Sequence, residues 1–387
     1  MQVRIAVAYD CLFPWSKGGG ERLYRTFAEE FAAAGHEVTY ITRRQWDGDA
    51  PVIDGFRVEV VSEDRELYDA NGVRQLPPAI NFARGLFTHL VKNRGAYDAV
   101  LVSALPSTNV PAVRAALVGT KTVVSVDWLE VWRPDQWREY SGPVIGRVAS
   151  TLQRVGALLS PISTCHSQLT ARRLRMSGLR RPPIVSPGLI DFESAVEPSL
   201  SPATPPNVIY VGRHIADKRV ESLPAAIAEA RKEIPDLTAT IFGEGPTHDA
   251  VRAEVDRLGL GDVVRMPGFV SQQELNDGIR NAACLVNPSA REGYGLVVVE
   301  AAAAGTPTVL VDGDDNASVE LVEDGVNGKV AASTSPSDLA GAIVEVVSAG
   351  EPLRKTTHAW FAEASKTRTV RATARGILTR LEEAVGR

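Results

Sequence analysis

Short β-branched apolar runs alternate with longer amphipathic stretches along this chain, and that alternation constrains its fold more than any other feature. Val3–Ala8, Glu37–Thr42, Arg57–Val61, Ala99–Ser103 and Lys121–Val126 read as strands. Glu21–Ala34, Gln75–Lys92, Ser107–Leu117 and Ile145–Ala157 read as helices between them. Such alternation predicts βαβ units and a parallel sheet covered on both faces. From Arg181 to Pro206 the chain holds Pro182, Pro183, Pro187, Pro198, Pro202, Pro205 and Pro206. Proline at that density blocks both helix and central strand. The pattern then restarts, with strands at Val208–Val211, Thr238–Phe242, Val263–Met266, Cys284–Val286 and Thr308–Val311. Arg219–Glu233, Thr247–Leu258, Gln272–Asn281, Leu296–Ala304, Ser318–Val322 and Pro336–Ser348 are helix-like, as is the tail from Pro352 to Arg387. The expectation is α/β, with one Rossmann-like domain over 1–190 and a second over 207–355. The length of 387 residues suits that count, at roughly 150 residues per domain.

Composition removes several classes of function. A formal net charge of -5 disfavours a dedicated nucleic-acid binder, which is usually basic. The 3 cysteines, Cys11, Cys165 and Cys284, are far apart, which excludes a disulfide scaffold and a cysteine-rich zinc site. No apolar run approaches the ~18–20 residues of a membrane span. The first residues, Met1 to Val7, enter a strand without a signal-like segment, so the expected location is cytoplasmic.

In open parallel sheets ligands bind outside the carboxyl ends of the strands, so residues just after strands are the candidates. The strongest is the run from Arg291 through Glu292, Gly293, Tyr294, Gly295 and Leu296 to Glu300 and Gly305. One glutamate sits in a glycine-containing loop and the other in the helix that the loop opens. Free backbone N–H groups and the positive end of a helix there suit a phosphate or oxyanion. Glutamates in such a loop can accept from sugar hydroxyls. An ordinary strand–loop–helix with surface glutamates is the plain alternative. Arg213 and Lys218 follow the first strand of the second half, and two cations there suit a diphosphate. Phe242-Gly243-Glu244-Gly245-Pro246 adds a glycine turn, though not the three-glycine dinucleotide fingerprint.

These elements in this order resemble the nucleotide-sugar domain of GT-B glycosyltransferases, in particular the retaining family 4. Val263–Val270, Gly305–Val309 and Glu320–Gly328 fall in the family's order too. The resemblance is close over 207–339; in the first half it is confined to Asp10–Glu21, with Gly18, Gly19 and Gly20. It implies two Rossmann-like domains facing across a cleft, with the C-terminal helix, about 360–387, packed back on the first. It implies that Arg213 and Lys218 hold the donor diphosphate, that Glu292 contacts donor-sugar hydroxyls, and that Gly293 to Leu296 approach sugar and phosphate. Glu300 would bind the ribose, Val270 would lie at the base, Gly243 would line the donor site, and Gly19 and Gly20 would approach the diphosphate. The implied reaction moves a sugar from a nucleoside-diphosphate sugar, UDP favoured over GDP, to a hydroxyl of a small-molecule, glycan or lipid-linked acceptor. It keeps the anomeric configuration by front-face attack and needs neither a metal nor another cofactor.

Many family members place a histidine after the strand that ends here near Val126; this chain has Ser125-Val126-Asp127-Trp128-Leu129-Glu130-Val131-Trp132 and no histidine. Asp127 or Glu130 is expected to take over its polar work, with Asp127 the catalytic candidate, unless the acceptor needs less help. Trp128, Glu130 and Trp132 are the expected contacts to a sugar, cyclitol or glycan acceptor, by face stacking and charge pairing; a packed aromatic corner is the alternative. Asp312-Gly313-Asp314-Asp315 reads as a turn with a helix cap rather than a metal loop. Arg172, Arg173, Arg175, Arg180 and Arg181, with the amphipathic stretch Ile80–Arg94, offer weak peripheral contact with anionic lipid, against a merely solvated face. Two other functions stay open: a nucleotide-sugar-binding protein without transfer activity, and a GT-B epimerase or sugar-phosphate synthase.

Overall fold

The computed structural model describes residues 2–386 apart from Lys17, Asp64, 68–73, Pro187 and 191–196. Pro187 of the proline-rich segment therefore lies outside the described residues. The chain forms two compact units, one of Met1–Leu189 with Arg368–Arg387, the other of Ile190–Thr367.

The first unit is a parallel sheet of β1 (Arg4–Ala8), β2 (Glu37–Arg43), β3 (Phe56–Ser62), β4 (Ala99–Ser103), β5 (Val123–Trp128), β6 (Ile162–Cys165) and β7 (Ile184–Val185). Their spatial order is 3-2-1-4-5-6-7. The helices are α1 (Gly19–Ala33), α2 (Leu76–Lys92), α3 (Asn109–Ala116), α4 (Pro134–Ser141), α5 (Pro143–Leu159) and α6 (Gln168–Met176). Every residue of β4 is buried, as expected of a central strand covered on both faces. α1 buries Leu23, Tyr24, Phe27, Ala28 and Phe31, one stripe at helical spacing. Gly35, at φ 92°, takes the left-handed turn that ends it.

The second unit repeats the order. Its sheet runs β10-β9-β8-β11-β13-β15, from β8 (Asn207–Val211), β9 (Thr238–Phe242), β10 (Val264–Gly268), β11 (Cys284–Asn287), β13 (Thr308–Val311) and β15 (Gly328–Ala331). β12 (Arg291–Glu292) and β14 (Asp315–Asn316) form a separate two-stranded pair. α7 (Leu223–Ala230), α8 (His248–Arg257), α9 (Gln272–Asn281), α10 (Leu296–Ala303) and α11 (Pro336–Ala364) cover the sheet, and α12 (Val370–Val385) belongs to the first unit.

Three expectations change. The helix expected over Arg219–Glu233 begins only at Leu223, because Arg219 sits at φ 48° and Val220–Ser222 make a 3₁₀ turn. Ser318–Val322 is also a 3₁₀ turn, over Ala317–Leu321. The return to the first unit starts at Arg368 rather than near 360, since Trp360, Phe361 and Ala364 pack with Val298, Val299 and Leu310 of the second unit. α11 itself is broken at Gly350 (φ 55°), two residues before Pro352, the turn that a glycine then a proline impose on a helix.

Candidate functional site

In the second unit the strand order reverses between β8 and β11, so a ligand crevice is expected at their carboxyl ends. Arg213 stands exposed just after β8, and Lys218 closes the 3₁₀ turn Ala216–Lys218. Asn287 ends β11, and Ser289 and Glu292 follow it. The Lys218 ammonium lies 2.5 Å from Glu292 Oε1. The same oxygen accepts from Asn287 Nδ2 at 3.2 Å and from the Ser289 hydroxyl at 3.0 Å. Arg291 pairs with Asp217, and the Ala290 N–H donates to the Asp217 carbonyl at 2.8 Å. The loop after β8 is thus fastened twice to the loop after β11. Burial alone would raise the Glu292 carboxyl; the Lys218 charge and the bonds from Lys218, Asn287 and Ser289 outweigh it and hold the group below its ordinary value. Glu292 is therefore an ionised acceptor at neutral pH.

Glycine shapes the approach to this pair. Gly295, at φ 100°, turns the chain into α10, and a Cβ there would fall 2.6 Å from the Ser318 Cβ. No side chain caps α10, which leaves its first N–H groups for a ligand or water. Gly293 and Leu296 are half-buried in this turn, Tyr294 packs on the Val298–Leu310 cluster, and Glu300 is half-buried within α10. Gly243, at φ 106°, lies so close to the loop after β8 that a Cβ would sit 2.0 Å from the Gly212 carbonyl oxygen. Val270, after β10, packs against the cluster of Ile209, Phe242 and Ile279. His214, which lies between Arg213 and Lys218, is fully buried and stacked on His248 at 5.1 Å. Neither of its ring nitrogens has a hydrogen-bond partner. Burial, then the neighbouring His248, keep its pKa low, so it contributes a neutral, inward-facing ring.

The first unit gathers a different set of groups. Gly19 and Gly20 open α1, and a Cβ on Gly20 would fall 2.8 Å from the Tyr9 hydroxyl. Tyr9 stacks on Tyr24 with ring centroids 4.3 Å apart. The Tyr24 hydroxyl donates to Asp127 Oδ2 at 2.7 Å, and His166 Nε2 lies 3.1 Å from the same oxygen. Tyr24, Asp127 and His166 are all buried. Burial, then the Asp127 charge, push the Tyr24 phenol well up.

A histidine does stand beside Asp127, then, but it comes from the end of β6 and not of β5. Register sets Asp127 opposite Thr164 and Trp128 opposite Cys165, and His166 follows directly. In sequence His166 reads only as a loop before a helix. The helix is there, with Ser167 accepting from the Thr170 N–H, yet the partner 39 residues away leaves no trace in the spacing.

The acceptor-contact reading needs correction at Trp128. It is 2% exposed and packs in the core of the first unit, its ring edge against Gly156 of α5, so it has no open face for a sugar. Trp132 is half-buried; its indole N–H donates to Glu130 at 2.5 Å, and its ring lies 4.6 Å from Trp137. The backbone of Trp132 and the Trp137 indole N–H both bond Gln153 of α5. This is the packed aromatic corner, with Glu130 already engaged. At the aspartate run, Asp312 accepts from the Gly313 N–H and Asp315 lies in β14. Among the described residues no group of three or more His, Cys, Asp or Glu side chains could hold a metal ion.

Two Rossmann-like units, one with a cation–carboxylate pair at its crevice, define a GT-B-type α/β protein. The family model for glycosyl transferases group 1 matches residues 191–364, and that for the glycosyl transferase 4-like domain matches residues 18–188. The chain belongs to the group 1 glycosyltransferase family. The glycogen synthase of Mycobacterium tuberculosis is 36% identical over 137 residues, 35% of this chain and 32% of that protein. The match thus spans about a third of that relative's length. Sucrose-phosphate synthase of Thermosynechococcus elongatus superposes with a TM-score of 0.80 at 19% identity, over 99% of this chain and 100% of that one. Anabaena HepE, solved in complex with UDP and glucose, gives 0.71 at 17% identity over 99% and 100%.

Proposed function

We propose that the protein is a retaining glycosyltransferase that moves a sugar from a nucleoside-diphosphate sugar to a hydroxyl of a small-molecule, glycan or lipid-linked acceptor. The observation that carries this reading is the Lys218–Glu292 pair, cross-linked at the mouth of β8 and β11 beside Arg213 and the uncapped start of α10. Breaking the sugar–phosphate bond leaves an oxocarbenium-like sugar and a diphosphate. Arg213 and Lys218 offset the negative charge that grows on the leaving oxygen, and the α10 N–H groups add fixed dipoles. Glu292, held ionised, accepts from sugar hydroxyls and orients the ring. With two cations on the diphosphate, neutralisation needs no divalent ion, and turnover should survive EDTA. The acceptor hydroxyl attacks on the face the diphosphate leaves, and its proton passes to a departing phosphate oxygen, so no protein nucleophile is required. UDP is favoured as the nucleotide, as in the HepE complex. In the first unit, the Asp127–His166–Tyr24 set supports the loop that opens α1.

Calorimetric titration of UDP, GDP, ADP and dTDP into wild type and Arg213→Ala tests the donor half. Selective binding of one diphosphate, lost in the variant, is expected. No binding of any would sink the reading. The anomeric outcome is read by NMR of the product formed from that donor, and inversion would remove the front-face mechanism.

A further inference from the structure

The loop after β8 carries both cations of the second-unit crevice, and one of its side chains turns inward. Of residues 212–219 only His214 is buried, and it directly follows Arg213. The peptide unit that joins the two is fixed at both ends. Its carbonyl, that of Arg213, accepts from the Tyr210 hydroxyl at 3.1 Å, and its N–H, that of His214, donates to the Glu244 carbonyl at 2.8 Å. The next carbonyl, that of His214, accepts from the Thr247 N–H at 3.0 Å. Two glycines admit these contacts. A Cβ on Gly212 would fall 2.6 Å from the Tyr210 hydroxyl, and one on Gly245 would fall 2.4 Å from the His214 carbonyl oxygen.

The His214 ring is wedged between two others. Tyr210 of β8 meets it edge-on with centroids 5.9 Å apart, and His248, the first residue of α8, stacks on it at 5.1 Å and 14°. The loop after β8 is thus pinned through His214 to the loop after β9 and to α8, and Arg213 rides on the pinned peptide. Lys218 is held separately, by Glu292.

A side chain that only filled this space would be better apolar, because a buried polar group without a partner costs free energy, and both His214 nitrogens lack one. What imidazole adds is a charge that depends on pH. The titratable groups around it come from every packed element. Tyr210 of β8 is kept a neutral phenol by burial, with Glu292 and Glu221 beyond it. His248 comes from α8, the exposed Glu244 from the loop after β9, and Arg213 and Lys218 from its own loop. Burial and His248 oppose a charged ring; the Phe242 carbonyl and Glu244 favour it and are outweighed. A conformation that needs the ring neutral is at full strength above the ordinary histidine value and weakens as pH falls below it.

We infer that His214 is a positioning residue for the donor diphosphate: its neutral ring, clasped by Tyr210 and His248, holds the peptide that carries Arg213, and protonation of the ring releases that peptide. The inference rests on the proposed role of Arg213 as a diphosphate ligand and adds a proton-sensitive hold on it. His214 itself touches no reacting atom.

Calorimetry at about pH 7.5 and about pH 5.5, on either side of the ordinary histidine value, tests it, with whichever of UDP, GDP, ADP and dTDP wild type binds. The nucleotide's own phosphate also titrates in this range, so wild type is read against His214→Phe, which keeps a ring that cannot charge. The two should bind alike at the higher pH. At the lower pH wild type should lose several-fold more affinity than the variant, with about 10-fold per pH unit the ceiling for one proton. His214→Ala, which removes the ring, should bind several-fold more weakly already at the higher pH. Parallel profiles for wild type and His214→Phe would overturn the inference, as would wild-type affinity in His214→Ala. If neither variant folds, Gly245→Ala crowds the same carbonyl and should weaken binding at the higher pH; unchanged affinity there would also overturn it. Wild type that binds none of the four diphosphates would sink the proposed reaction and this inference together, whereas binding with parallel profiles would sink the inference alone.

Discussion

The two units share a strand order, and each collects polar groups at the carboxyl ends of its central strands, but at different depths. In the second unit Lys218 and Glu292 keep part of their side chains in solvent, and Arg213 is exposed. In the first, Asp127 and His166 are sealed, and Tyr24 is closed over them. Charges at a mouth can meet a ligand. Polar groups sealed within a wall hold the wall, here the Tyr9 and Tyr24 rings beneath Gly20. The same topology thus leaves charged groups open at the mouth of one unit and seals polar groups within the wall of the other.

That contrast can be broken by mutation. Lys218→Ala should reduce turnover by about 10³-fold, the scale for losing one fixed charge on a leaving group, and should also forfeit the stability that its pair with Glu292 adds at neutral pH. Near wild-type turnover would strip the second unit of its catalytic role. Glu292→Gln should cost roughly 10² in kcat/KM by losing the charged acceptor, and its pH profile should sharpen the point. The Glu292 pKa is depressed in the fold, so the stability it adds is present above its unfolded value and lost as pH falls through the folded one. Wild-type stability should therefore fall faster than that of the glutamine variant as pH drops below about 4. An identical slope would mean the Lys218 pair adds nothing.

The first unit should respond in stability. His166→Phe or Asp127→Asn is expected to cost about 3–5 kcal/mol in urea unfolding, the scale for breaking a buried pair, with UDP affinity unchanged by calorimetry. Loss of UDP binding with stability intact would reverse the roles assigned to the two centres. The smallest effect is expected from Gly243→Ala, whose Cβ would strike the Gly212 carbonyl. About 1–3 kcal/mol of stability and a several-fold loss of UDP affinity should follow, and wild-type affinity would free that loop from the donor site.

Strands, the alternation and the residues of the second-unit crevice were legible in the sequence because they are local. Short continuous apolar runs make strands covered on both faces, and Arg213, Lys218, Gly295 and Glu292 lie in single short loops. What was not legible depends on register. Asp127 meets His166 only because β5 and β6 pair in one alignment. Asp127 and Trp128 look like one acceptor cluster in sequence, but consecutive strand residues point to opposite faces. The Trp128 ring therefore goes into the packing under α5. The late start of α7 was hidden because nothing in Arg219 announces its left-handed backbone.

The first unit is not a contiguous stretch of chain. α12 lies on α1, Thr373 bonds Ser186 at 2.6 Å and the Gly188 carbonyl at 2.8 Å, and Ile377 and Leu381 are wholly buried. On the ribosome, residues 2–189 must therefore wait, with the α1 surface unclosed, until the whole second unit has been made. The part of the chain synthesised first is the part completed last. A fragment cut at 189 would expose the apolar seat of α12, and separate α12 peptide added in trans would be the natural means of closing it.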